Sequence, residues 1–240
     1  MKHTIAIAFV ILASVSTLSA QKTETTWFAS FNTIGLNKRF SIHFDGQWRS
    51  GDHYSKMLTL LLRPGLNYKI SDKLTVTAGY GLISGRRTIS GISGYAPEHR
   101  IWQQAVYTHP LLNSSLAHRF RLEQRFISKS SVSAEQLVND GNIYANRFRY
   151  FFRTVLPFRS VKGFSKGTFG AIQNEIMFNI GNNSGVNGRS FDQNRAYAAF
   201  GYRFGKKFDL EAGYMNQYIQ GRGTAFTNNH VIQLATYTRL

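Results

Sequence analysis

From Phe40 to its C-terminus the chain repeats one figure. A run of roughly a dozen residues alternates apolar with polar or small side chains, then breaks at a cluster of Gly, Asn, Ser or Asp. Successive side chains of a strand point to opposite faces, so this alternation predicts two-faced strands. Phe40, Ile42, Phe44 and Trp48 oppose Ser41, His43, Asp45, Gln47 and Arg49. Leu58, Leu60, Leu62, Leu66, Tyr68 and Ile70 oppose Thr59, Arg63, Asn67 and Lys69, and Leu74, Val76, Ala78, Tyr80 and Leu82 oppose Lys73, Thr75, Thr77, Gly79 and Gly81. In the second half the polar face becomes charged. Phe120, Leu122 and Phe126 alternate with Arg119, Arg121, Glu123 and Arg125, and Phe148, Tyr150, Phe152 and Leu156 alternate with Arg147, Arg149 and Arg153. Helical periodicity would scatter these arginines around a cylinder. Gln103, Asn174 and Asn216 break the rule by falling on apolar faces.

Alternation alone also suits a soluble β-sandwich or a lipocalin-like binding module. Length separates the cases: soluble strands average about five to six residues, whereas a tilted strand needs about ten to cross a bilayer, and these runs reach about ten to fourteen. Aromatic residues stand near strand ends (Trp48, Tyr68, Tyr107, Tyr202, Tyr218), as in interfacial girdles. Short breaks (Ser71-Asp72, Pro110 to Ser115, Gly205-Lys206) alternate with longer ones (Ser50 to Lys56, Gly85 to Pro97, Ser128 to Asn142, Gly181 to Phe191, Gln220 to Asn229). The pattern predicts an all-β, single-domain, antiparallel up-and-down transmembrane β-barrel of about ten strands with a charged lumen; Thr25 to Ile34 is left over, to hairpin with the next strand, to lie in the lumen or to indicate a count of about twelve.

The N-terminus carries Lys2, an apolar stretch from Ile5 to Ala13 and a small-residue segment ending Ser19-Ala20. That is the layout of a secretory signal peptide over residues 1–20, leaving the barrel to residues 21–240. Export and strand pattern together predict the outer membrane of a Gram-negative bacterium, with its lipids as the obligatory partner. The formal charge is +17, and +16 remains when Lys2 leaves with the leader. Charged residues are only 17% of the chain and form no long basic run, so the excess is dispersed, and with export this argues against nucleic acid. The absence of cysteine excludes disulfides, thiolate metal sites and cysteine nucleophiles.

Several stretches in succession carry a family resemblance: Arg63-Pro64-Gly65-Leu66-Asn67-Tyr68, Glu98-His99-Arg100-Ile101-Trp102-Gln103-Gln104, His118 through Phe126, Gln173-Asn174-Glu175, Phe191-Asp192-Gln193-Asn194-Arg195 and Gly213-Tyr214-Met215-Asn216-Gln217. Their order and spacing resemble domain of unknown function 2490, a family of exported outer-membrane-type barrels, over nearly the whole chain from Trp27. The resemblance implies an architecture and brings no catalytic residues.

The candidate site is therefore the charged face itself. Alternation places Glu98, Arg100, Arg119, Arg121, Glu123, Arg125, Arg147, Arg149, Arg153, Glu175, Arg195, Arg203 and Glu211 in the lumen, joined by Asp45, Arg49, Arg63 and Asp209. The network is expected to join Arg119, Arg121, Glu123 and Arg125 to Glu98 and Arg100 on the preceding strand and to Arg147, Arg149 and Arg153 on the following one. Such a face supports two readings: a stabilising plug of bridged guanidinium and carboxylate groups, or a narrow basic passage or chamber favouring a small anion. Enzyme chemistry is poorly supported. His118 and Glu123 lie on opposite faces, His99 has no serine at strand spacing, and the dispersed histidines form no metal-ligand pattern. Gly79-Tyr80-Gly81 lacks the helix a phosphate cradle needs. The expectation is a non-enzymatic barrel without cofactor, structural or a narrow anion-preferring channel. The alternative is a membrane-embedded enzyme acting on lipid or lipopolysaccharide, with Arg86, Arg87, Arg189 and Arg222 touching lipid phosphates.

Overall fold

The computed structural model describes residues 21–51, 55–111, 114–159 and 163–240, so the leader expected at 1–20 lies outside the described residues. Eleven strands follow one another: β1 (Gln21–Gly35), β2 (Phe40–Gly51), β3 (Lys56–Lys69), β4 (Leu74–Ile89), β5 (Ile92–Leu111), β6 (Ser114–Ser133), β7 (Gln136–Pro157), β8 (Gly167–Ile180), β9 (Phe191–Gly205), β10 (Phe208–Gln220) and β11 (Phe226–Arg239). Each pairs with its neighbours in sequence, and β1 meets β11 to close the barrel.

The count corrects the expectation of about ten. Thr25 to Ile34, the segment with no assigned place, belongs to β1, which hairpins with β2 and closes on β11. An odd number of up-and-down strands leaves first and last running in the same direction, so the closing pair must be parallel. It is, with Trp27 beside Gln233 and Phe31 beside Tyr237. The wall is thus mixed rather than all antiparallel. Beyond the last ladder residues, the Gly35 N–H donates to the Leu240 carbonyl at 2.6 Å and the Leu240 N–H to the Thr33 carbonyl at 2.9 Å.

Two predicted long loops are also corrected. Gly85 to Pro97 and Ser128 to Asn142 continue as paired strand, β4 with β5 and β6 with β7, turning on two residues each. Ser90 and Gly91 have φ of 49° and 81°, and Ala134 and Glu135 have 48° and 59°. Two consecutive positive φ values make the mirror-image turn whose twist suits a hairpin. Their Gly, Ser and Asn content reads as loop because no apolar face continues above the barrel body. Nor do short and long connections sort cleanly by end: β7 ends at Pro157 and β8 begins only at Gly167, at the same end of the barrel as the two-residue 206–207 turn.

The two faces are inverted relative to a water-soluble domain. Ile101, Phe120, Leu122, Ile172, Phe200, Ile232 and Leu234 are exposed on the outside, Phe200 to 58%. Arg63, Arg121, Glu123, Arg147, Arg149 and Glu211 are buried inside, and among the described residues more polar than apolar side chains are buried. Outer aromatics gather at both ends of the wall: Phe158, Phe200, Tyr202, Phe204 and Phe208 around one, Phe178, Phe191, Tyr218 and Phe226 around the other. The amides that break the alternation find one another. Gln103 and Gln124 exchange reciprocal hydrogen bonds of 3.2 Å, Asn174 and Asn194 do so at 3.3 and 3.1 Å, and Asn216 donates to Asn228 at 2.8 Å. Each of these outward amides thus meets part of its hydrogen-bonding need without water.

Candidate functional site: a basic lumen

Every lumen residue expected from the alternation points inward. What the sequence leaves open is who meets whom. Glu123 is the hub. Buried to 1% exposure, it receives Arg147 at 2.7 Å and Arg149 at 2.5 Å from the next strand, with Arg100 at 3.6 Å and Arg121 at 3.8 Å. Arg149 carries the network to Glu175, which also holds Arg119 at 2.6 Å and Arg195 at 3.6 Å. Glu98 pairs with Arg100 and Arg125, both at 2.6 Å. The expected neighbouring-strand network is present around Glu98 and Glu123. Elsewhere contacts jump strands: Arg119 of β6 reaches Glu175 of β8, and Arg153 of β7 crosses to Glu211 of β10 at 2.5 Å. Glu211 accepts further hydrogen bonds from the hydroxyls of Tyr197 (3.0 Å) and Tyr237 (3.3 Å). Arg121 relies chiefly on the Gln104 amide oxygen, at 2.6 and 3.0 Å, and on the face of Trp102, 4.5 Å away. Asp45 pairs with Arg63, and Asp209 with Arg203 and Arg239.

Two contributions escape period-two reading. Asp192 has the wrong parity for the lumen, yet the β8–β9 ladder shifts register there, pairing Met177 with Gln193 but Phe178 with Phe191. The extra residue of that bulge is Asp192, which accepts a hydrogen bond from Arg147 at 2.8 Å. The run of three polar residues, Asp192-Gln193-Asn194, is the only trace of it in the sequence. Large aromatics are the second. Trp27, Trp102 and Tyr197 are buried inside the barrel among the arginines. The Trp102 ring lies over Gly65 and Gly79, cross-strand partners; a Cβ on Gly79 would come within 2.4 Å of it. Its indole N–H donates to the Tyr80 carbonyl at 3.1 Å. The glycines at that point are a seat for the indole.

Two neighbouring cavities lie among these groups. The larger, about 280 Å³, is lined by Arg49, Arg63, Arg100, Arg125, Arg147, Arg149 and Arg195, with Trp27, Gln193, Gln217 and Asn229, and among the described residues by no carboxylate. The smaller, about 200 Å³, is lined by Arg119, Arg153, Glu175, Phe151 and Tyr237, among others. Trp27, Arg63, Arg149 and Arg195 line both and so lie where the two cavities meet. The guanidinium of Arg49 sits 3.7 Å from the centre of the Trp27 ring and that of Arg195 5.2 Å from it. Among the described residues, twelve inward arginines face seven carboxylates.

The loop arginines fall outside this network. Arg86 and Arg87 lie in β4 near its turn with β5, and Arg222 donates to the Ser184 carbonyl at 2.6 Å, so that one guanidinium braces two loops.

An eleven-stranded closed barrel with a polar, arginine-rich interior and an apolar exterior is the class these observations define. The chain belongs to the family described as protein of unknown function (DUF2490), whose profile matches residues 24–228. An uncharacterized protein of Methylorubrum extorquens is 23% identical over 195 residues, covering 80% of this chain and 78% of that one. No solved structure matches.

Proposed function

We propose that this chain is an exported outer-membrane barrel whose lumen is closed, and that it acts without catalysis rather than as a conducting channel. The membrane part of the reading is supported by the outer surface. Exposed large apolar side chains such as Ile101, Phe120, Leu122, Ile172, Phe200 and Ile232 recur on β5, β6, β8, β9 and β11, where a water-soluble monomer exposes such residues sparingly. Every strand has at least 12 residues, beyond the roughly 9–11 that a tilted strand needs to span hydrocarbon. Reciprocally paired outward amides suit the same solvent.

One observation carries the closed lumen: ion pairs that cross it. Arg153 of β7 reaches Glu211 of β10, Arg119 of β6 reaches Glu175 of β8, and Arg149, where the two cavities meet, is tied on both sides, to Glu123 and Glu175. Such multiply bonded arginines are held in one geometry, and opening a path would strand buried charge. Reconstituted into planar bilayers, the protein should give no single-channel conductance, and its unheated band in SDS should migrate differently from the heated one. Steady anion current would overturn closure. Recovery of the protein from the detergent-free periplasmic fraction would overturn the membrane assignment and favour a lipocalin-like module.

A further inference from the structure

We infer that the larger lumenal cavity is a binding site for a multiply charged phosphoryl group. The inference rests on the charged-lumen reading above and goes beyond it by giving that lumen a ligand.

Seven arginines line the cavity, and among the described residues no carboxylate does. Those seven, with Arg119 and Arg121, share five carboxylates: Asp45, Glu98, Glu123, Glu175 and Asp192. Internal pairing therefore leaves several positive charges unanswered around one small space. The way the least neutralised are held matters more than their number. Among the described residues no carboxylate lies within salt-bridge distance of Arg49; it lies on the Trp27 face and donates to the neutral Gln47 amide oxygen at 2.7 and 3.2 Å. Arg195 is 3.6 Å from Glu175 and donates to the neutral Gln193 oxygen at 3.1 Å, and its buried Nε has no hydrogen-bond partner. The Nε of Arg63, a residue only 4% exposed, is likewise unpartnered.

A ring face and two amide oxygens fix guanidinium groups in place without cancelling their charge. That is preorganisation for an anion: the conformational cost of converging the forks is met in folding, and the electrostatic cost is relieved when the anion arrives. Planar guanidinium forks suit oxyanions with several equivalent oxygens better than they suit halide. An excess of several charges calls for a group carrying two or more negative charges, and a volume of about 280 Å³ accommodates a diphosphate with bridging water. The phosphoryl group could arrive on a soluble phosphate or on a lipid headgroup, and the chemistry at the arginines is the same.

The test is isothermal titration of full-length protein, purified from membranes in neutral detergent, with inorganic pyrophosphate and, separately, with micelles doped with phosphatidic acid, at matched ionic strength. Saturable binding of pyrophosphate is expected, weakened at least tenfold in Arg49→Gln/Arg195→Gln. Binding of doped micelles alone, lost in the same variant, supports the site with a headgroup as its source. Because removing arginines could disturb folding, Gln193→Glu is the second variant. It places a carboxylate of nearly the same shape beside Arg195 and Gln217 and should preserve the heat-modifiable band while binding at least tenfold more weakly. No saturable binding of either probe, or equal binding by the parent and by correctly folded Gln193→Glu, overturns the proposal. Since titration does not depend on closure, conductance in bilayers would refute the closed lumen and leave this result to stand or fall separately.

Discussion

The Asp192 carboxylate accepts a hydrogen bond from Arg147 Nη1 at 2.8 Å, although strict alternation along β9 would turn Asp192 away from the lumen. Arg147 holds Glu123 through Nε and Nη2, at 3.0 and 2.7 Å, so the bulge gives it a second carboxylate, two strands further round the barrel on β9. Arg147 is 3% exposed, and in such a setting a guanidinium with two partners is much better satisfied than with one.

The first expectation compares the two carboxylates. Glu123→Gln removes the charge that meets Arg147 and Arg149 and faces Arg100 and Arg121, and should destabilise the barrel by about 3–5 kcal/mol, the usual cost of breaking a buried pair. Asp192→Asn leaves Arg147 its bonds to Glu123 and should cost about 1.5–3 kcal/mol, as for one hydrogen bond to a charged group. Urea unfolding in lipid vesicles measures both. Equal small losses would mean that water in the lumen screens the charges and that the network is not buried.

Face assignment is tested by labelling. In membranes, a lipid-soluble thiol reagent should modify Phe120→Cys and Phe148→Cys, while Arg121→Cys and Arg149→Cys should resist it. The reverse pattern would invert the faces and remove the lumen altogether.

The seat of Trp102 is open to a steric test. In Gly79→Ala the new methyl would lie 2.4 Å from the indole and 2.5 Å from the Pro64 carbonyl oxygen. Overpacking typically costs about 1–3 kcal/mol, and a backbone atom cannot swing aside, so the loss should reach or exceed that range. Adding Trp102→Phe should not restore it, because the carbonyl clash persists. Full recovery by the smaller ring would show that only the indole matters.

Ala134 and Glu135 occupy left-handed backbone that costs an L-residue roughly 1–2 kcal/mol each. Ala134→Asn with Glu135→Gly, the residue types that tolerate this turn, should therefore stabilise the β6–β7 hairpin by about 1 kcal/mol. Slower proteolysis at residues 130–140 of protein in vesicles is the readout. Faster cleavage would rule out the two-residue turn.

Period two alone determined a large part of this molecule. A strand has no choice about which face its alternate residues take, so the apolar exterior, the inward set from Glu98 to Glu211 and the near-neighbour pairs around Glu123 are all written in the order of residues along each strand. Closure is not. Whether Thr25 to Ile34 joins the wall depends on ends far apart in the chain, and only the meeting of β1 with β11 fixes eleven strands and the parallel seam. The bulge at Asp192 is a one-residue accommodation between two strands and leaves almost no mark in either. Turns at Ser90-Gly91 and Ala134-Glu135 follow from paired strands continuing past the barrel body, which local composition disguises as loop. The crossings from Arg153 to Glu211 and from Arg119 to Glu175, and the place of Trp27 where the two cavities meet, depend on barrel diameter and strand stagger. Sequence set which side chains enter the lumen; tertiary closure set their distances, and a guanidinium's partner is decided by distance.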